Sequence, residues 1–464
     1  MDPRPVTWVL EAVGNGSNGR ACSATNGRVT GVSTDSRLVR EGDLYVALNG
    51  EKFDGHDFVG SAFARGAAAA LISKDIDDLG GVRDRPVIRV DDTRRALIQL
   101  ATAHRRTLDT EIIAVTGSNG KTTVKDLIAH LLAGKGRVAR APRSFNNNIG
   151  LPLTILAMDS GTHFGVVEMG TNAPGEIAEL CRIAAPDCGI VTNVGPAHLE
   201  GLGGIQGVAE EKSALVEALP ETGMAFLNYE DYHCREMVRL ARCPAATFAF
   251  DPSADIWGLK RRRVPNGVAF FLYGKMEMAL NVPGLHNAMN ALAAAGVALR
   301  YGVAPDEIRD RLATFELREM RLRRREVGGV TLINDAYNAN PASVSAAIEE
   351  LRSLPGDGRR ILILGDMFEL GGHSRQLHRK MGRSAARAGI HQVWAVGRQA
   401  GEVGRGLASV SRWKGQFHPS PTTDDAMGRI PFDLAPGDMV LVKGSRRMRL
   451  ERVHDRIVEE LEGS

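Results

Sequence analysis

The sequence predicts an α/β protein of three consecutive units, built mainly on parallel sheets. Short apolar runs recur through the middle and last thirds, each followed by a turn and then a helical pattern, as strand–helix alternation requires. Glycine is frequent, 52 of 464 residues, which suits many tight strand–helix turns. The texture of the chain also changes twice, which divides it into residues 1–108, 109–320 and 321–464.

In the first unit, Asp43–Leu48, Ala70–Ile72 and Val87–Val90 read as strands. Ser61–Ala69 reads as a small-residue helix, and a second helix, Thr93–Thr107, leads into the middle unit. There the strands are Glu111–Val115, Phe164–Glu168, Gly189–Thr192 and Met224–Leu227. The segment 245–283 has short β pieces such as Val268–Leu272 and reads as a β edge of the same unit, closed by the alanine-rich helix Asn287–Tyr301. The arginine-rich segment 318–326 reads as a linker. Alternation then restarts with strands Thr331–Ile333, Ile361–Leu364, Val393–Val396 and Met439–Val442.

Composition excludes several function classes. With 58 basic against 55 acidic residues and a net charge of +3, nothing in the charge argues for nucleic acid. The run Lys260–Arg263 reads as a solvated loop, while the denser cluster Arg318, Arg321, Arg323, Arg324 and Arg325 suits anionic ligands or a hinge surface. Five cysteines (Cys22, Cys181, Cys188, Cys234, Cys243) with no C-x-x-C pair read as free thiols in a reducing compartment. The N-terminal residues carry no apolar leader core, and no run is long enough to span a membrane. The expectation is a cytoplasmic monomer.

The chemistry starts at Thr116-Gly117-Ser118-Asn119-Gly120-Lys121-Thr122-Thr123, between strand Glu111–Val115 and a helical pattern. Glycines and small residues let backbone N–H groups converge, and the helix N-terminus adds its positive dipole end, so a phosphate fits. Lys121 would reach the outer phosphates and the Thr122 hydroxyl a Mg²⁺ ion. The usual loop is G-x-x-x-x-G-K-[ST], whose first glycine would fall at Val115; here the loop is shortened to G-x-x-G-K-T. Ligands of open α/β sheets lie at the carboxyl ends of strands. Glu168 and His198 follow two such strands and, with Thr122, make a plausible Mg²⁺ set beside phosphate oxygens. Lys212, in Glu210-Glu211-Lys212, reads on chemistry alone as a surface lysine paired with a neighbouring glutamate. Polar loops end three strands of the last unit: Asn334–Pro341, Gly365–Gly371 and Lys443–Arg446. In the first, Asn340 also reads as the cap of a helix with Pro341 at its first position.

These motifs together resemble the Mur ligases, ATP-dependent amide ligases of peptidoglycan precursor synthesis. The resemblance runs through Thr34–Arg37, Phe53–His56, Thr116–Thr123, Asn146–Gly150, Val167–Gly170, His286–Asn290, Asp335–Pro341, Leu364–Met367 and Lys443–Ser445, in order over nearly the whole chain. It looks most like the branch that adds D-alanyl-D-alanine to UDP-N-acetylmuramoyl-tripeptide. It implies a small N-terminal domain holding the UDP end near Ser33, Asp35, Ser36 and Arg37, a central ATP and Mg²⁺ domain, and a Rossmann-like C-terminal domain bringing the dipeptide. By the same resemblance Gly117 to Thr123 hold the phosphates, and Asn287 and Asp335 contact adenine and ribose. Asn146, Asn147, Asn338 and Asn340 meet the peptide substrates, and Arg321 joins Lys121 in screening negative charge. Thr122, Glu168 and His198 serve Mg²⁺, and Lys212 falls where related ligases carry a carbamylated lysine able to join them. The family's usual Gly-Arg reads Met320-Arg321 here. The Asp-Asn-Pro-Arg signature of the diaminopimelate-adding relative is missing, and folylpolyglutamate synthetase would not need such an N-terminal domain. The other readings are a Mur-type ligase for a different amino acid and a nucleotide-binding regulator without ligase chemistry; the presence of Lys121, Thr122, Glu168, His198 and Lys212 speaks against the second.

Overall fold

The computed structural model describes residues 1–14, 20–21, 27–50, 52–76, 85–142, 144–317, 322–429 and 434–463. Arg318, Arg321 and Cys22 therefore lie outside the described residues.

The first unit is a five-stranded sheet in the order Arg20–Ala21, Val87–Arg89, Ala69–Ile72, Asp43–Val46, Gly31–Ser33, parallel except for Arg20–Ala21. The helix expected over 61–69 spans only Val59–Ala64. Gly66 turns left-handed (φ +101°), and the alanines after it enter the strand Ala69–Ile72. Helix Thr93–Arg105 is capped by Asp92, which accepts from the N–H groups of Arg94 and Arg95. Its Leu97, Leu100 and Ala101 join a buried cluster with Ile112, Leu151, Met169 and Leu180, so it also packs on one face of the central sheet.

The central sheet has nine strands, in the order Met276–Leu280, Gly267–Leu272, Ile256–Val264, Ala245–Ala249, Met224–Asn228, Cys188–Val191, Glu111–Thr116, Phe164–Glu168, Val138–Arg140. The strands are parallel from Val138–Arg140 to Ile256–Val264, and an antiparallel meander completes the far edge. Both faces of the inner strands are covered, and the core strand Phe164–Glu168 is buried throughout. The segment 245–283 is thus the β edge of this sheet. Lys260–Arg263 lies within the strand Ile256–Val264, not in a loop; the pairing register shifts between Leu259 and Arg262, and Lys260, Arg261 and Arg262 are all exposed there.

The C-terminal sheet runs Arg323–Val327, Val330–Asp335, Met439–Lys443, Arg360–Gly365, Gln392–Val396, Gln416–Ser420, all parallel except the first. Part of the expected linker 318–326 is therefore a strand, paired with Val330–Asp335 through the left-handed turn Gly328-Gly329. Residues of the central unit (Val194, Leu199, Leu202) and of this unit (Val344, Leu351, Met367, Leu370) form one continuous buried cluster. Among the described residues no helix is long and apolar enough to cross a membrane.

Candidate active site

The connection after strand Glu111–Thr116 runs to Val138–Arg140 on one side, and that after its neighbour Cys188–Val191 runs to Met224–Asn228 on the other, which opens a crevice at their carboxyl ends. The glycine loop fills that position. Gly117 has φ +144°, and a Cβ there would come 1.9 Å from Thr192 Oγ1. Gly120 has φ +84°, and a Cβ would come 2.5 Å from Asn290 Oδ1. Both positions demand glycine on conformation and on space.

The shortened loop is clamped by the neighbouring strand end. Ser118 N–H donates to the Asn193 carbonyl (3.0 Å). Asn119 N–H donates to Asn193 Oδ1 (3.0 Å), and Asn193 Nδ2 donates back to the Asn119 carbonyl (3.1 Å). The N–H groups of Ser118 and Asn119 are thus engaged within the protein. The start of helix Lys121–Leu132 lies in the cleft lining beside the loop. Lys121 Nζ donates to the Gly117 carbonyl (2.8 Å), folding the side chain back over the loop.

Glu168, buried at the end of its strand, accepts from Thr122 Oγ1 on one oxygen (2.6 Å) and from Asn146 Nδ2 on the other (2.8 Å). Asn147 uses Oδ1 to accept from the N–H groups of Ile149 and Gly150, starting the helix Gly150–Leu156. His198, in a left-handed backbone conformation (φ 56°), turns Nδ1 onto the carboxylate of Glu369 from the C-terminal unit.

Lys212 is not the surface residue its neighbours suggest. It sits in mid-helix Ile205–Glu217 with 2% exposure. Glu211 cannot pair with it in the expected way, because its two oxygens accept from the N–H groups of Gly175 and Ile177 (2.7 Å each). Burial, with the charge of Lys121 as the next cause, pulls the Lys212 amine down to about 7.

The C-terminal unit supplies the opposite wall. Asp335 and Lys443 are register partners on parallel strands, and Lys443 Nζ donates to Asp335 Oδ2 (2.5 Å) and to the Asn338 carbonyl (3.0 Å). Asn338 Oδ1 accepts from the Ala339 N–H. Asn340 caps the helix Pro341–Ser353 in a capping box with Ser343, as the Asn-Pro pair predicts. Its Nδ2 is directed outward and donates to Asn119 Oδ1 of the glycine loop (2.8 Å). Tyr337 meets Ser144 across the same boundary. On the central unit, Asn287 bridges the Pro283 carbonyl and Asn290 Nδ2.

These walls enclose a cleft of about 660 Å³, lined by Ser118 to Thr123, Asn146, Asn147, Glu168, His198, Asn287, Asp335, Asn338 and Asn340. Lys212, buried, is not part of this lining, and Arg321 is outside the described residues. Sequence reasoning missed Asn193, Arg261, Glu369 and Lys443 as lining or clamping residues. Glu369 and Lys443 belong to strand-end segments that the sequence marked as polar, but their partners lie in distant segments. Ser33, Asp35, Ser36 and Arg37 form a separate feature at the carboxyl end of strand Gly31–Ser33. There Ser33 Oγ donates to the Asp35 carbonyl (2.9 Å), and the Arg37 guanidinium holds Asp35 through two bonds (2.9 and 2.7 Å). Arg37 lowers the Asp35 carboxyl below its usual range. Cys181, Cys188, Cys234 and Cys243 are buried free thiols, as expected for four of the five.

Three family models match consecutive parts of the chain: "Mur ligase family, catalytic domain" over residues 28–105, "Mur ligase middle domain" over 115–298 and "Mur ligase, glutamate ligase domain" over 320–446. The chain is 36% identical over 435 residues to the UDP-N-acetylmuramoyl-tripeptide–D-alanyl-D-alanine ligase of Bacillus subtilis, covering 93% of each. It is 35% identical to the Escherichia coli protein of the same name, covering 91% of this chain and 92% of that one. Among solved structures, MurF from Acinetobacter baumannii superposes with a TM-score of 0.87 at 28% identity over 99% of both chains. MurF from Thermotoga maritima, solved in complex with ADP, does so with 0.80 at 28% over 94% of this chain and 98% of that one. With a glycine loop, a strand-end glutamate and three matched domains in this order, the chain belongs to the Mur ligase family.

Proposed function

We propose that this chain is an ATP-dependent ligase that joins D-alanyl-D-alanine to the terminal carboxylate of a UDP-N-acetylmuramoyl-tripeptide. The observation that carries the reading is the single cleft with a phosphate loop on one wall and a polar turn from another domain on the other, bridged by the Asn119–Asn340 bond. That arrangement suits a reaction in which a triphosphate, a carboxylate and an amine must meet in one closed space.

The chemistry follows from charge. A peptide carboxylate attacks the γ-phosphorus of ATP, forming an acyl phosphate and releasing ADP. The amine of the dipeptide then adds to the carbonyl carbon, and phosphate leaves. Both reacting partners in the first step are anions, so cations must screen them. Lys121 supplies one, and Arg321 is proposed as a second. The Thr122 hydroxyl and the Glu168 carboxylate are hard oxygen donors 2.6 Å apart, which fits Mg²⁺ arriving with phosphate oxygens. Among the described residues no three His, Cys, Asp or Glu side chains cluster to hold an ion by themselves. Bound there with help from His198, Mg²⁺ would withdraw charge from the phosphate oxygens. Burial lowers the Lys212 amine to about 7, toward the neutral form that adds CO₂, and a carbamate there would turn the cation into an acidic oxygen donor. Asn287 and Asp335 are assigned to adenine and ribose, Asn146 and Asn147 to the precursor peptide, and Asn338 and Asn340 to the dipeptide. Ser33, Asp35, Ser36 and Arg37 are assigned to the UDP end.

Purified protein with ATP, Mg²⁺, the UDP-tripeptide and D-alanyl-D-alanine is expected to release phosphate only when all four are present. Phosphate release independent of the dipeptide, or a preference for a free amino acid, would sink this assignment in favour of a different amine acceptor.

A further inference from the structure

Among the described residues seven non-glycine positions have left-handed φ, and two of them, His198 (φ 56°) and Glu369 (φ 63°), form one contact across the central and C-terminal units. Such conformations cost of order 1 kcal/mol each and persist where the surroundings fix them, often at functional sites. The contact is doubled in the backbone, where the Glu200 N–H donates to the Glu369 carbonyl (3.2 Å).

The loop bearing Glu369 is pinned from three sides. Asp366 accepts from the N–H groups of Arg398 (2.8 Å) and Gln399 (3.0 Å). Met367 N–H donates to His378 Nε2 (2.9 Å), and Phe368 N–H donates to Ser445 Oγ (3.1 Å). Glu369 therefore projects from a rigid base. Its target has a specific chemistry. A histidine that ligates a metal through one ring nitrogen holds the other on a carboxylate or carbonyl, which fixes the tautomer and the ring plane. His198 lines the cleft and has Nδ1 committed to Glu369, which leaves Nε2 as the ligating nitrogen.

We propose that Glu369 is a positioning residue that orients His198 toward the catalytic ion only when the C-terminal unit is docked, so that the ion site is completed by a second domain. This rests on the assignment of His198 to Mg²⁺ above. It goes beyond that assignment by making ion affinity depend on docking.

The test uses the full chain and Mn²⁺ as a spectroscopic probe in the presence of ADP, beside a Mg²⁺ titration of the ligase reaction. In Glu369→Ala, the Mn²⁺ dissociation constant and the Mg²⁺ concentration for half-maximal rate are both expected to rise tenfold or more. KM for the UDP-precursor stays at the wild-type value. Glu369→Gln, whose amide oxygen can still accept from Nδ1, should recover part of the loss. Wild-type Mn²⁺ affinity in Glu369→Ala, beside a His198→Ala that has lost it, overturns the proposal while leaving the His198 assignment standing. Wild-type affinity in His198→Ala removes that assignment and the proposal with it. If Glu369→Ala lowers only the rate, with scattering that shows an opened molecule and unchanged Mn²⁺ affinity, Glu369 is a docking contact and the proposal fails.

Discussion

Lys212 shows how far a single residue can be read. Its sequence neighbours Glu210 and Glu211 suggest a charged surface, and that reading is wrong. The helical period held the correction. Val208 lies four residues before Lys212 and Val216 four after, both buried, so Lys212 shares the inward stripe. Burial, with the charge of Lys121, pulls its amine down to about 7, the direction that the carbamate proposed above requires. Lys212→Ala is expected to lose about 100-fold or more of the rate, the scale of removing one charge-stabilising group. Added short carboxylates should restore part of it, and a ¹³C carbamate signal from labelled bicarbonate should be present in the wild type and missing in the variant. Full activity in Lys212→Ala would take the carbamate out of the mechanism. Gly117 is the complementary case, legible from the loop spacing alone. Gly117→Ala sets a methyl group 1.9 Å from Thr192 Oγ1 at a left-handed φ, so nucleotide affinity should collapse, as measured by calorimetry with ADP.

At the scale of elements, buried strands were legible because a parallel sheet needs continuous apolar runs. Edge strands were not. Arg323–Val327 is mostly charged and Gln416–Ser420 contains Pro419, so neither carries the run that marks an inner strand. The phosphate loop, its strand and its helix were visible in the sequence, but the Asn193 clamp was not, because it joins segments more than seventy residues apart. Asn340 was readable as a cap, and the structure adds its second contact, to Asn119. The two roles separate by substitution. Asn340→Asp keeps an acceptor for the Ser343 N–H but loses the amide donor to Asn119, so stability should hold while the rate falls. Asn340→Ala should lose about 1 kcal/mol of stability as well, measured by urea unfolding.

At the scale of the whole molecule, the three units were evident from texture, but their docking was not, since it depends on side chains meeting across distant loops. One such support titrates. His378 Nε2 accepts from Met367 N–H and Nδ1 donates to the Ser374 carbonyl, so the neutral imidazole is the form that fits. Burial holds its pKa below the ordinary histidine value. The unfolded chain then binds the extra proton first. The stabilisation is fully present above about pH 6.5 and is lost as pH falls through the folded value. Unfolding midpoints should decline below that pH, and the decline should be smaller in His378→Asn.

The buried cluster shared by Val194, Leu199 and Leu202 with Val344, Leu351 and Met367 has a kinetic consequence. Separating the two units returns some of these side chains to water, at about 2 kcal/mol for each fully exposed leucine or valine. Escape of ADP and the elongated precursor through such a separation is therefore expected to be the slow event of the cycle. Rapid mixing should reveal a burst of phosphate equal to the enzyme concentration before the steady rate, and added viscogen should slow only the second phase.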